Sequence, residues 1–254
     1  MYDPRREQRR QATRVQLPDD VEARELDAET RRDLRPLSKD TAELVARHLV
    51  MTGRLLDDEP ERALAHAQAA AALAGRIAVV REASGLAAYA AGQWQLALAE
   101  LRAARRISGR PAHLSVLADC ERGLDRPERA LKIGDDPDVR ELSPAEQVEL
   151  AIVLSGARRD MGQHGAAVLL LQEPARRTAP DRPWAVRLYY AYAEALLADS
   201  RAEASRSWFA RAAGLDRDGE TDAVDRLLEL DGVQLEHMDP EEDDPPPAGD
   251  EASA

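Results

Sequence analysis

The chain has 254 residues, 44% hydrophobic and 4% aromatic, with a formal net charge of −13 and one cysteine, Cys120. A single thiol excludes an intramolecular disulfide and a thiolate metal cage, and it suits a reducing compartment. The longest apolar run, residues 69–74, is far shorter than the roughly 20 residues of a membrane span, and the basic start MYDPRREQRR lacks the apolar stretch of a secretory signal. The expected location is therefore cytoplasmic, away from membranes.

Taken in chain order, residues 1–16 carry five arginines against Asp3 and Glu7 and have almost nothing to bury, which predicts a disordered basic arm. Over residues 17–233 alanine, leucine, arginine and glutamate dominate, apolar positions recur at three and four residues, and nothing alternates with period two. The expected class is all-α. The segment LPDDVEARELDAETRRDL (17–34) predicts a polar helix that covers the first hairpin with Leu17, Val21 and Leu26. Prolines 60, 111, 127, 144 and 183 fall at or near helix starts, where a missing N–H costs nothing. Glycines 75, 92, 109, 123, 162 and 214 fall where periodic segments stop, as residues suited to left-handed caps and turns. ETDAVDRLLELDG (220–232) gathers Val224, Leu227, Leu228 and Leu230 among acids and predicts a terminal capping helix. Residues 234–254 hold eight acids, no lysine or arginine, and prolines 245–247, which predicts a disordered acidic tail that aids solubility.

A period runs through the helical region. Ala63, Ala97, Ala130, Ala167 and Ser205 occupy the same place in successive segments, at intervals of 34, 33, 37 and 38 residues. Paired helices repeating near 34 residues have the spacing of tetratricopeptide units. The second unit contributes Gly85, Gly92, Ala97, Leu101 and Ala104, with Trp94 opening its second helix; the fifth contributes Ala193, Ser205, Phe209, Ala212 and Leu215-Asp216. On these residues the chain resembles the tetratricopeptide-repeat superfamily. Stretches such as RHLVMTGRLL, REASGLAAYAAGQW and LADCERGLDRPERAL are also similar to an uncharacterised group of actinobacterial tetratricopeptide proteins. The resemblance implies a right-handed α-solenoid of about five hairpins over residues 17–233, with a C-terminal capping helix and disordered tails. Small residues at the repeated slots would let helices approach closely, and larger ones would cost roughly 1–3 kcal/mol by overpacking.

No motif for chemistry stands out. The five histidines are scattered, with none three or four residues from another, so no helical metal pair forms. Cys120 lies among small residues with no histidine nearby in sequence and reads as a buried thiol. Phosphate-cradling glycine motifs are absent, and no pair of carboxylates has opposed environments for acid/base work. The expectation is a non-catalytic protein with no cofactor and no metal.

The resemblance further implies that the first helix of each unit lines an inner groove. Transferring the register assigns His48, Glu82, Ser115, Ile152 and Tyr190, then Thr52, Leu86, Asp119, Gly156 and Glu194, then Leu55, Tyr89, Arg122, Arg159 and Leu197. The lysines and asparagine of a carboxylate clamp are missing from these slots. Arg122, Arg159 and Arg187 are candidates to meet acidic side chains of a peptide, and Tyr89 and Tyr190 to supply flat anchors. Each tyrosine has an alternative place between hairpins, alongside Trp94, Trp184, Tyr189, Tyr192, Trp208 and Phe209. The expected function is a scaffold or adaptor that binds a protein or peptide in the groove. One alternative is an RNA- or ribosome-associated adaptor using the basic arm, although neutralising about five phosphates gives only weak nucleic-acid binding at physiological salt. A second is a self-assembling scaffold or helical-repeat enzyme subunit.

Overall fold

The computed structural model describes residues 15–232, and both predicted tails lie outside those residues except for positions 15 and 16. Among the described residues the structure is all-helical, with twelve α-helices and two 3-10 turns. A short helix, α1 (Ala28–Asp33), precedes five hairpins: α2 (Lys39–Leu55) with α3 (Pro60–Ala74), α4 (Ala78–Ala90) with α5 (Trp94–Ser108), α6 (Leu114–Gly123) with α7 (Pro127–Gly134), α8 (Pro144–Asp160) with α9 (His164–Arg177), and α10 (Ala185–Ala198) with α11 (Ala202–Leu215). The last helix, α12 (Ala223–Leu230), packs on α11. Every helix from α2 onward contacts its neighbour in sequence, and α8 additionally contacts α6 and α10, while α2 contacts α4. This is an α-solenoid in which first helices lie beside first helices.

Small side chains make the stacking possible. Ala63, Ala97, Ala130, Ala167 and Ser205 are all fully buried. The positions opposite are small or short as well: Thr52 Oγ1 reaches Ala63 O at 3.5 Å, Ser155 meets Ala167 and Ser205 meets Ala193. A Cβ on Gly85 would sit 2.6 Å from Leu101 Cγ and 3.1 Å from the Leu101 backbone nitrogen. Where the slot carries a hydroxyl, it is spent on the opposite backbone: Ser155 Oγ donates to Ala167 O at 3.1 Å, and Ser205 Oγ to Ala193 O at 2.8 Å. Burial thus leaves no unsatisfied hydroxyl at these two crossings.

Four hairpins turn in the same way. Gly92, Asp125, Gly162 and Ser200 each stand two residues before the second helix with φ of 68°, 57°, 70° and 61°. The next N–H reaches back five residues: Gln93 to Ala88, Arg126 to Glu121, Gln163 to Arg158 and Arg201 to Leu196, at 2.8–2.9 Å. That pairing closes the orphan carbonyls of the first helix as a left-handed cap does. The expectation for glycines holds at 92, 109 and 162, but Gly75, Gly123 and Gly214 have no positive φ. Gly123 is instead needed for space, since a Cβ there would lie 2.8 Å from the Trp94 indole.

Pro60, Pro127 and Pro144 open α3, α7 and α8 as predicted. Pro174, by contrast, lies inside α9 near its end. Residues 17–34 do not form one polar helix: a 3-10 turn at Ala23–Glu25 and the short α1 replace it, capped by Asp27, which accepts the N–H groups of Glu29 and Thr30. Their apolar residues still cover the first hairpin. Val21 packs with Val50 and Met51, and Leu34 with Val45 and Leu49.

Candidate inner-face groove

The first helices α4, α6, α8 and α10, and finally α12, are joined along one face by a ladder of polar contacts. Between α4 and the start of α6, Glu82 Oε1 and His113 Nε2 are 2.7 Å apart, and Tyr89 Oη donates to Asp119 Oδ2 at 2.7 Å. From α6 to α8, Arg122 gives Nε to Asp160 Oδ2 at 2.7 Å and Nη2 to Asp160 Oδ1 at 3.2 Å, while its Nη1 holds Asp119 at 2.9 Å. From α8 to α10, Arg159 pairs with Glu194 at 2.9 Å and Glu149 with Arg187 at 2.8 Å. From α10 to α12, Glu194 receives Arg226 at 3.0 Å.

These partners set the ionisation of the ladder. Burial pushes the Tyr89 hydroxyl above its ordinary value, and its bond to the Asp119 carboxylate adds to the shift. Tyr190 is shifted the same way by burial and by its bond to Asp222. Burial works against the charge on Arg122, but Asp160 and Asp119 more than offset it. The His113 hydrogen bond lowers the Glu82 carboxyl. Glu149 moves upward, because burial outweighs the attraction of Arg187 and Glu220 adds repulsion. Both tyrosines therefore stay protonated, as hydrogen-bond donors, through the physiological range.

The register positions Glu82, Tyr89, Asp119, Arg122, Arg159, Tyr190 and Glu194, and Arg187 named beside them, lie within this ladder or next to it. His48 is a correction. It is fully buried between α2 and α3, with Nδ1 3.0 Å from Nδ1 of the equally enclosed His66. Thr52 is likewise buried, its Oγ1 donating to His48 O at 2.9 Å. Gly156 is buried under Arg122, where a Cβ would lie 2.6 Å from the guanidinium carbon. In the first hairpin the register positions His48 and Thr52 are therefore enclosed between α2 and α3 rather than presented on the face.

At the C-terminal end this face opens into a groove. A cavity of about 500 Å³ is bounded by Ile152 and Arg159 of α8, by Arg187, Tyr190, Ala191 and Glu194 of α10, and by Glu220, Thr221 and Asp222. The α10 residues follow helical spacing and so share one face. Tyr190 lines the cavity, and its ring also packs edge-to-face with Phe209, with centroids 5.4 Å apart. The wall contributed by residues 220–222 is missing from the predicted set. It is shaped by Asp216, which accepts the N–H groups of Glu220 and Thr221 at 2.7 and 2.8 Å. An aspartate followed by Gly219 and Thr221 is a turn signal that sequence supplies, but nothing in it indicates which face the turn closes.

Among the described residues no group of three histidine, cysteine, aspartate or glutamate side chains is arranged to hold a metal. Cys120 is buried and its thiol is pushed up to about 12, chiefly by burial, so it stays protonated. No helix among the described residues is long and apolar enough to cross a membrane. In comparisons with known proteins, no protein-family model matches the chain, and no curated protein matches it. Among solved structures the chain is similar to YrrB, described as a TPR protein with an unusual peptide-binding site. The two are 15% identical over 79% of this chain and 97% of that one, with a TM-score of 0.45.

Proposed function

We infer that the protein is a non-catalytic scaffold of tetratricopeptide type that holds a segment of a protein partner against the face formed by its first helices. The observation that carries this reading is the groove between α8, α10 and residues 220–222, where Ile152, Tyr190 and Ala191 lie beside fixed charges. An apolar floor with a few placed polar groups is the usual make-up of a recognition site. Tyr190 is held by contacts on two sides, at Phe209 and at Asp222, and so offers a rigid aromatic surface.

A photo-crosslinking residue tests the reading. Placed at Ile152 or Leu86 on the first-helix face, it is expected to yield a discrete protein adduct in the native host. The same residue at Leu169, exposed on α9, is expected to yield none. Equal labelling from both faces, or none from the first-helix face, overturns the reading.

A further inference from the structure

We propose that the groove between α8 and α10 selects a basic segment, one with an apolar side chain flanked by lysine or arginine. This rests on the scaffold reading and adds the chemistry of the occupant. The charge balance of the groove argues for it. Arg159 and Arg187 line the cavity, but each is already engaged, with Glu194 at 2.9 Å and Glu149 at 2.8 Å. Glu194 is bound a second time by Arg226 at 3.0 Å.

The remaining carboxylates, Glu220 and Asp222, stand on the facing wall. Neither is in an ion pair among the described residues, and Asp222 is held by the Tyr190 hydroxyl. Counting Glu149 behind Arg187 and Arg226 behind Glu194 alike, the groove has four carboxylates to three arginines. Glu149 also feels Glu220, so an incoming cation relieves repulsion between them. An acidic peptide would have to displace existing ion pairs before gaining an arginine. A basic peptide meets carboxylates that no cation holds, with its apolar side chain on Ile152, Tyr190 and Ala191.

Fluorescence anisotropy on the full chain decides it. The probe is a labelled twelve-residue peptide with three leucines flanked by lysines and serine elsewhere. Two controls replace the lysines with glutamates or the leucines with serines. The lysine–leucine peptide is expected to bind at least tenfold more tightly than either control. Glu220→Gln is expected to weaken it about threefold or more, and Ile152→Ser to weaken it further. Glu61→Gln, exposed on α3, is expected to leave it unchanged.

Equal binding of the glutamate peptide overturns the proposal. So does equal weakening by Glu61→Gln and Glu220→Gln, which would mean attraction to the acidic body as a whole. If Ile152 crosslinks a protein partner while the lysine peptide shows no preference, the basic-segment inference fails and the scaffold reading stands. If the first-helix face labels nothing, both fail.

Discussion

Acidification is expected to weaken the first hairpin through its buried histidine pair. His48 and His66 meet through their Nδ1 atoms at 3.0 Å in a site from which water is excluded. One ring supplies the N–H and the other the lone pair. A first proton puts a charge into that site, and a second leaves two N–H groups facing each other. His48 is lowered from 6.5 to about 4, mainly by burial and then by His66 and Arg47, and His66 is lowered chiefly by burial. The unfolded state therefore binds protons first, so the stabilisation is complete above pH 6.5 and is lost as pH falls through about 4. For His48 alone, a drop from pH 7 to pH 5 costs about 2 kcal/mol, and His66 adds in the same direction. The carboxyls of Glu25, Asp27 and Glu146 are lowered by their capping hydrogen bonds and so act in a separate, more acidic window. Urea unfolding at pH 7, 6 and 5 measures the loss, and hydrogen exchange locates it in α2 and α3, since repeat arrays open unit by unit. His48→Asn keeps a donor toward His66 and is expected to remove most of the slope between pH 7 and 5. An unchanged slope in that variant would refute the argument.

Three further outcomes are expected from packing. Gly85→Ala drives a methyl into Leu101 and is expected to lower stability by about 1–3 kcal/mol despite the better helix propensity of alanine; chemical denaturation showing equal or greater stability would contradict the close approach. Asp125→Gly and Ser200→Gly, at left-handed turn positions, are each expected to raise stability by about 0.5–1 kcal/mol, read as a higher denaturation midpoint. Arg102→Ala strips the nearer partner, at 2.6 Å, from the buried Glu121 carboxylate and leaves Arg126 at 3.8 Å. It is expected to cost about 2–3 kcal/mol, and a second change, Glu121→Gln, is expected to recover part of that loss.

The hairpins are legible in the sequence because their determinants are local or strictly periodic. Ala63, Ala97, Ala130 and Ala167 mark one buried slot, and the prolines opening α3, α7 and α8 need only the preceding residues to act. Residues 17–34 read as one helix because alanine, leucine, arginine and glutamate dominate them. What interrupts them is tertiary: Arg47, on α2, donates Nε to Val21 O and Nη2 to Pro18 O, both at 2.8 Å, which fixes an extended entry. Asp27 then caps a new helix. Ser200 and Asp125 in left-handed turns are equally hidden, because composition points to glycine and the hairpin geometry imposes the conformation on whatever residue stands there.

For the inner face, the register reveals position but not occupancy. Arg122 and Asp160, or Arg159 and Glu194, lie 38 and 35 residues apart, so nothing local shows that each arginine is already bound to the next helix. This changes what charge reversal at Arg122 and Arg159 would measure. Each reversal sets a glutamate against the carboxylates that the arginine now holds, Asp119 and Asp160 in one case and Glu194 in the other. Like charges at hydrogen-bonding distance on adjacent first helices destabilise the stack itself. A lost partner in such a variant would report a loosened array rather than a lost contact. Glu220 escapes this difficulty: its side chain is in no ion pair among the described residues, and the turn it occupies is held through its backbone N–H by Asp216. A neutral substitution there alters the charge offered to a ligand while leaving the contacts between hairpins intact, so a change in binding can be assigned to the groove.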